Sequence, residues 1–176
     1  MANTDAPYGF SPKGPILRQQ PKDVLVGYGT AIFINDLVSA TADGVVNAAA
    51  AGDNVILGSS STYSAASTVA QASDGTALMV TDHPDQLYEA QDDGSQDPPA
   101  LDEVHQNADH STATAGSTVT LKSGHELALS DGKTAAAGFV ILRAVDREDN
   151  DKTAVNCDWV VQLNAGEGLL TLATSV

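Results

Sequence analysis

The stretch Val155-Asn156-Cys157-Asp158-Trp159-Val160-Val161-Gln162-Leu163 decides the fold class. Trp159, Val161 and Leu163 project to one side of an extended chain while Asp158 and Gln162 project to the other, the period of two of a half-buried strand. Just upstream, within the run Gly138 to Asp146, the segment Phe139 to Val145 is apolar on both faces, which places it centrally in a sheet. Further out, Thr30 to Val38, Thr76 to Asp82, Leu87 to Gln91 and Ser117 to Lys122 are strand-like runs. Asp43-Gly44, Asp74-Gly75, Asp93-Gly94 and Asp131-Gly132 supply turns between such runs. Many short strands joined by tight turns make an all-β chain, a single small β-barrel or β-sandwich in which closure or stacking hides the sheet edges. At most one short helix fits, where Asp97 caps a turn opened by Pro98. The stretch Ser39 to Ala72, mostly Ala, Ser, Thr, Gly and Asn, reads as loop and weak strand.

Residues 1–23 are different. Pro7, Pro12, Pro15 and Pro21 with Gly9 and Gly14 forbid both a continuous helix and a central strand. The segment reads as an extended N-terminal arm before a β-rich body at 24–176. Tyr8, Phe10, Ile16 and Leu17 have no local periodicity, so they are expected to dock on the body or on another subunit. Fully extended, such an arm reaches up to about 75 Å, longer than a small domain is wide. Removing residues 1–22 is accordingly expected to leave a folded body.

Composition narrows the function classes. At 176 residues the chain favours one domain and has enough length to bury a core without disulfides, which its lone Cys157 could not form internally. Eight Lys and Arg against 23 Asp and Glu give a net charge of -15, which argues against nucleic acid or an anionic membrane as the main partner. The start lacks a basic region followed by an apolar one, and no run of 18 apolar residues occurs, so neither a classical signal nor a membrane span is expected.

Tests for chemistry mostly fail on spacing. His125-Glu126 opens like a zinc-binding helix, but Leu129 stands where the second histidine belongs. There is no phosphate-binding loop, Gly166-Glu167-Gly168 lacks a third glycine, and the serines of Gly58-Ser59-Ser60-Ser61 lack a nucleophile-elbow context. Cys157 reads as a small core residue. Asp146, Glu148, Asn150 and Asp151 resemble the start of a calcium loop, but Asp151 replaces the required glycine and Cys157 the closing glutamate. An ordinary solvated turn is the favoured reading there, with a looser calcium site at Asp146, Asp149 and Asp151, or at Asp82 and Asp85, as the alternative. His83, His105 and His110 read as surface histidines. The residues point to no enzyme, cofactor or catalytic group.

The opening Met1-Ala2-Asn3-Thr4-Asp5-Ala6-Pro7-Tyr8-Gly9-Phe10-Ser11-Pro12 resembles the start of a family of tailed-bacteriophage structural proteins, and Gly27-Tyr28-Gly29-Thr30-Ala31-Ile32-Phe33-Ile34-Asn35-Asp36-Leu37-Val38 resembles its first core strand. Val80-Thr81-Asp82-His83-Pro84-Asp85-Gln86-Leu87-Tyr88-Glu89-Ala90-Gln91 resembles its D-x-P-x-x-x-[FY]-E-x-Q segment. Leu142-Arg143-Ala144-Val145-Asp146-Arg147-Glu148-Asp149-Asn150 and Asp158-Trp159-Val160-Val161-Gln162-Leu163-Asn164 resemble its closing strands. The resemblance implies a capsid decoration, or cement, protein, made in the host bacterial cytoplasm and bound in many copies to the outer surface of the virion's capsid. Its partners would be the major capsid protein and neighbouring copies of itself, as a homo-oligomer, with no nucleic acid and no membrane. Tyr8, Phe10, Ile16, Leu17 and Arg18 are then the expected capsid or inter-subunit contacts, lying across a neighbour or adding a strand to its edge. Subunits of such negative charge repel when crowded, so attachment should weaken at low ionic strength. Two alternatives stand beside this: a tail or neck component, and a calcium- or carbohydrate-binding β-module.

Overall fold

The computed structural model describes residues 3–24, 29–41, 44–53, 55–66, 77–95, 103–129 and 137–164. Their ordered elements are β1 (Ser11–Lys13), β2 (Gln19–Asp23), β3 (Leu37–Ala40), β4 (Val46–Ala48), β5 (Ile56–Ser60), β6 (Ala77–Thr81), β7 (Leu87–Gln91), β8 (Asn107–Ser111), β9 (Glu126–Ala128), β10 (Phe139–Ala144) and β11 (Asp158–Leu163). One sheet has six strands in the order β1-β7-β11-β10-β8-β9, the other five in the order β2-β6-β5-β3-β4, and every ladder is antiparallel. The chain is therefore all-β. A single bridge from Asp92 to Leu127 curls β9 back toward the end of β7, but no ladder closes the ring, so the architecture is a sandwich and the barrel is not formed.

The strand that decides the class behaves as its period requires. Trp159, Val161 and Leu163 of β11 enter the main core beside Tyr88 and Ala90 of β7 and Phe139 and Ile141 of β10. The doubly apolar run lies between β11 and β8, away from any edge, and a one-residue bulge at Leu142 shifts its register between Ile141 and Arg143. Leu37 and Ile56 of the five-stranded sheet close this core from the opposite side. Their chain neighbours Val38 and Leu57 point the other way, into a second apolar cluster with Ile32, Val46, Leu78 and Val80. Cys157 is fully buried in the main core, and burial, then the nearby Asp92 charge, push its thiol up to about 12.

Three expectations change. Thr30 to Val38 is not one strand: Asn35 takes φ 70° and Asp36 Oδ2 accepts the Phe33 N–H at 2.7 Å, so a side-chain-capped turn interrupts the run before β3. Ser117 to Lys122 is a turn, because Ser117 Oγ accepts the N–H groups of Val119 and Thr120, and Leu121 takes φ 59°. His110 is buried at 2 % exposure instead of lying on the surface, since the alternation along β8 turns Ala108 and His110 inward. The helix expected after Asp97 falls at 96–102, outside the described residues, and the described elements are all strands.

Candidate docking surface

The arm is stitched into the body from its third residue. Asn3 Oδ1 accepts the Asp151 N–H at 2.7 Å, and Gln91 binds both Thr4 O and the Ala6 N–H, at 3.0 and 2.8 Å. Tyr8 then donates to Asp158 Oδ1 at 3.0 Å, with Glu89 Oε1 at 3.3 Å, on the outer face of the six-stranded sheet. Burial, then the charges of Asp158 and Glu89, push the Tyr8 phenol above its ordinary range, so it stays a donor at any pH the fold survives. Arg147 bridges Glu89 and Asp158 as well, and Lys13 pairs with Glu89, so each carboxylate meets a cation.

Gly9 makes the next step possible. In an unbroken strand Tyr8 and Phe10 would share a face, but Gly9 at φ 76° reverses the chain's sense and sends Phe10 inward. A Cβ there would stand 2.4 Å from both Asn35 O and Ser123 Cβ. Asn35 clamps the turn on either side, accepting the Phe10 N–H at 2.9 Å and donating to Tyr8 O at 3.0 Å. Phe10 is fully buried and stacks on Phe139 at 4.6 Å between centroids. β1 then pairs with β7 as the outermost strand of one sheet, and β2 with β6 as the outermost strand of the other. Their prolines, Pro12 and Pro21, sit where a missing N–H is tolerated. The arm is thus continuous with the body and buttons the two sheets together along one side.

Between these edge strands the chain crosses from sheet to sheet, and residues 14–20 are all exposed. Ile16 and Leu17, at 53 % and 49 %, are two of the four large apolar side chains exposed among the described residues. Contacts beside them fix the crossing: Leu17 N–H donates to Gln86 Oε1 at 3.0 Å, and the Arg18 side chain pairs through Nε with the buried Asp82 Oδ1 at 2.7 Å, where Lys22 adds a second cation at 3.1 Å. Of the five arm residues singled out by sequence, Phe10 is consumed by the chain's own core and Tyr8 and Arg18 are engaged in anchoring it. Ile16 and Leu17 are left exposed. The prolines of β1 and β2 weigh against strand addition on this side.

The other sequence candidates are occupied locally. Asp146 pairs with Lys152 at 2.9 Å, Asp149 with Arg147 at 2.7 Å, and Asp151 accepts both the N–H and the hydroxyl of Thr153. Asn150 is buried and bonds the backbone of Val145 and Asp158. His83 Nδ1 accepts the Asp85 N–H at 3.1 Å, and His105 is exposed. Among the described residues no three His, Cys, Asp or Glu side chains are grouped to hold a metal, and no helix is long and apolar enough to cross a membrane. Sequence reasoning missed an open cleft beside Asp36 and His125, because those two residues lie more than eighty positions apart in the chain. Comparison with known proteins finds no matching family model, no matching curated protein and no matching solved structure.

Proposed function

We propose that the protein is a structural virion component that binds the outer surface of a tailed-phage capsid in many copies and stabilises it, as a decoration protein without enzymatic activity. The observation that carries the reading is the sheet-to-sheet crossing, where an otherwise anchored arm holds Ile16 and Leu17 in solvent beside two rigid edge strands. Two apolar side chains on a crossing anchored at Leu17 N–H and at the Arg18 side chain lose little conformational freedom when a partner covers them. The partners are the major capsid protein and neighbouring copies of this chain. A ligand that binds the assembled shell better than free subunits stabilises assembly by linkage, and no reaction is needed for that. The net charge of -15 supports a surface protein whose copies stay apart in solution and crowd only when held on a lattice.

The test mixes the purified protein with undecorated shells and measures co-sedimentation and copy number per particle from a stained gel. Saturation in proportion to the shell's subunits, weakened by Leu17→Asp and by low ionic strength, is the expected result. No binding, or a copy number fixed by a single ring at a neck or tail, overturns it.

A further inference from the structure

An open cleft of about 530 Å³ lies beside the turn that interrupts the run before β3, lined in part by Thr30, Phe33, Asp36, Thr112, Thr114 and His125. Asp36 and His125 are the buried polar members of this wall, at 3 % and 8 % exposure. Asp36 Oδ2 accepts the Phe33 N–H at 2.7 Å, and its Oδ1 lies 3.5 Å from His125 Nε2. The histidine does not supply a counter-charge. Its Nδ1 accepts the Leu37 N–H at 3.2 Å, which fixes the neutral tautomer with the proton on Nε2. The described lysines and arginines that form ion pairs spend them on Glu89, Asp82, Asp146, Asp149 and Asp158, and none comes within ion-pair distance of Asp36. A buried carboxylate that no described lysine or arginine pairs with, in the wall of a cleft with room for a side chain, is costly unless something positive covers it.

We propose that this cleft receives an arginine side chain from a partner protein, with the guanidinium paired to Asp36. The chemistry selects this occupant. A small hydrated metal ion needs more oxygen ligands than one carboxylate beside a neutral, doubly engaged imidazole provides. A guanidinium carries its charge in a weakly hydrated plane, suits the half-buried Phe33 ring in the same wall, and has further N–H donors for the hydroxyls of Thr30, Thr112 and Thr114. The charge of -15 draws a basic group toward the surface. The inference rests on the decoration reading only for which partner brings the arginine.

The test titrates the intact chain with N-acetylarginine amide and, in parallel, with its neutral isostere N-acetylcitrulline amide, following the NMR signals of Phe33 and His125. Saturable shifts with arginine, about tenfold weaker with citrulline and equally weakened in Asp36→Asn, are expected. Equal shifts from both probes, no shift at millimolar probe, or shifts produced by calcium and not by arginine overturn the proposal. Shell co-sedimentation separates this from the functional reading. Wild type that sediments while Asp36→Asn sediments equally well overturns the cleft as a shell contact and leaves decoration standing. Wild type that fails to sediment overturns decoration, and the arginine titration still decides the cleft.

Discussion

Two halves of one arm meet opposite fates. Residues 3–13 are pinned by side-chain amides, a half-buried phenol and a core phenylalanine, whereas residues 14–20 are exposed. Both are proline- and glycine-rich, and both carry two large apolar residues without periodicity. What separates them is where a positive-φ glycine leads: the turn at Gly9 (φ 76°) sends Phe10 onto Phe139, whereas the one at Gly14 (φ 78°) leads Ile16 and Leu17 into solvent. Composition alone does not distinguish an anchor from a contact.

The comparison can be broken hardest by truncation. Removing residues 1–22 takes away Phe10 and all but one residue of the outermost strands of the two sheets, and should cost more than any single substitution below. Phe10→Ala should lose about 3–5 kcal/mol in urea unfolding, because the stacked ring leaves a cavity against Phe139. An arm that melts without lowering the body's midpoint would show that the halves are alike after all. Next comes Asp36→Asn, with the opposite sign. Burial, opposed by the Ser123 hydroxyl and the Phe33 N–H, raises its carboxyl from 3.8 to about 6. The folded state then holds the proton more tightly than the unfolded chain. This contribution is therefore full below about pH 4 and lost as pH rises through about 6. The asparagine variant should exceed wild type by up to about 3 kcal/mol at neutral pH, the gain vanishing in acid. His125 runs the other way: burial, then His110, lower it from 6.5 to about 3, so its contribution is full above about pH 6.5 and lost toward 3. The difference between wild type and His125→Asn should slope accordingly.

Gly9→Ala should cost about 1–3 kcal/mol in the same unfolding assay, through positive φ and contact with Asn35 and Ser123. The smallest effect sharpens the contrast. Ile16→Ser and Leu17→Ser should shift the midpoint by less than about 0.5 kcal/mol while weakening shell binding. A large loss of stability there would mean that these residues hold the fold instead of facing a partner.

Much of the sandwich was legible. β6, β7, β10 and β11 follow from periodicity and turn punctuation, and the central place of β10 from its two apolar faces. β5 was not legible. Its Gly58-Ser59-Ser60 is wholly buried because a Cβ at Gly58 would meet Thr81 O at 2.0 Å, and strands packed that closely need small residues that carry no hydrophobic signal. Ser117 to Lys122 misled in the reverse sense, since β-branched residues suit a strand until a serine hydroxyl captures the backbone. In the arm, the absence of periodicity did not tell Ile16 and Leu17, which are exposed, from Phe10, which is not. The same absence at Phe10 concealed a core residue, because the deciding contact lies more than a hundred residues away on β10.

The outermost strands contributed by the arm have a further consequence. Each places an imino acid, Pro12 or Pro21, at the rim of its sheet, where an intruding chain would look for a complete row of amide hydrogens. Copies pressed together at high density cannot extend their sheets into one another on that side. The rim thereby disfavours the edge-to-edge strand pairing from which fibrils grow.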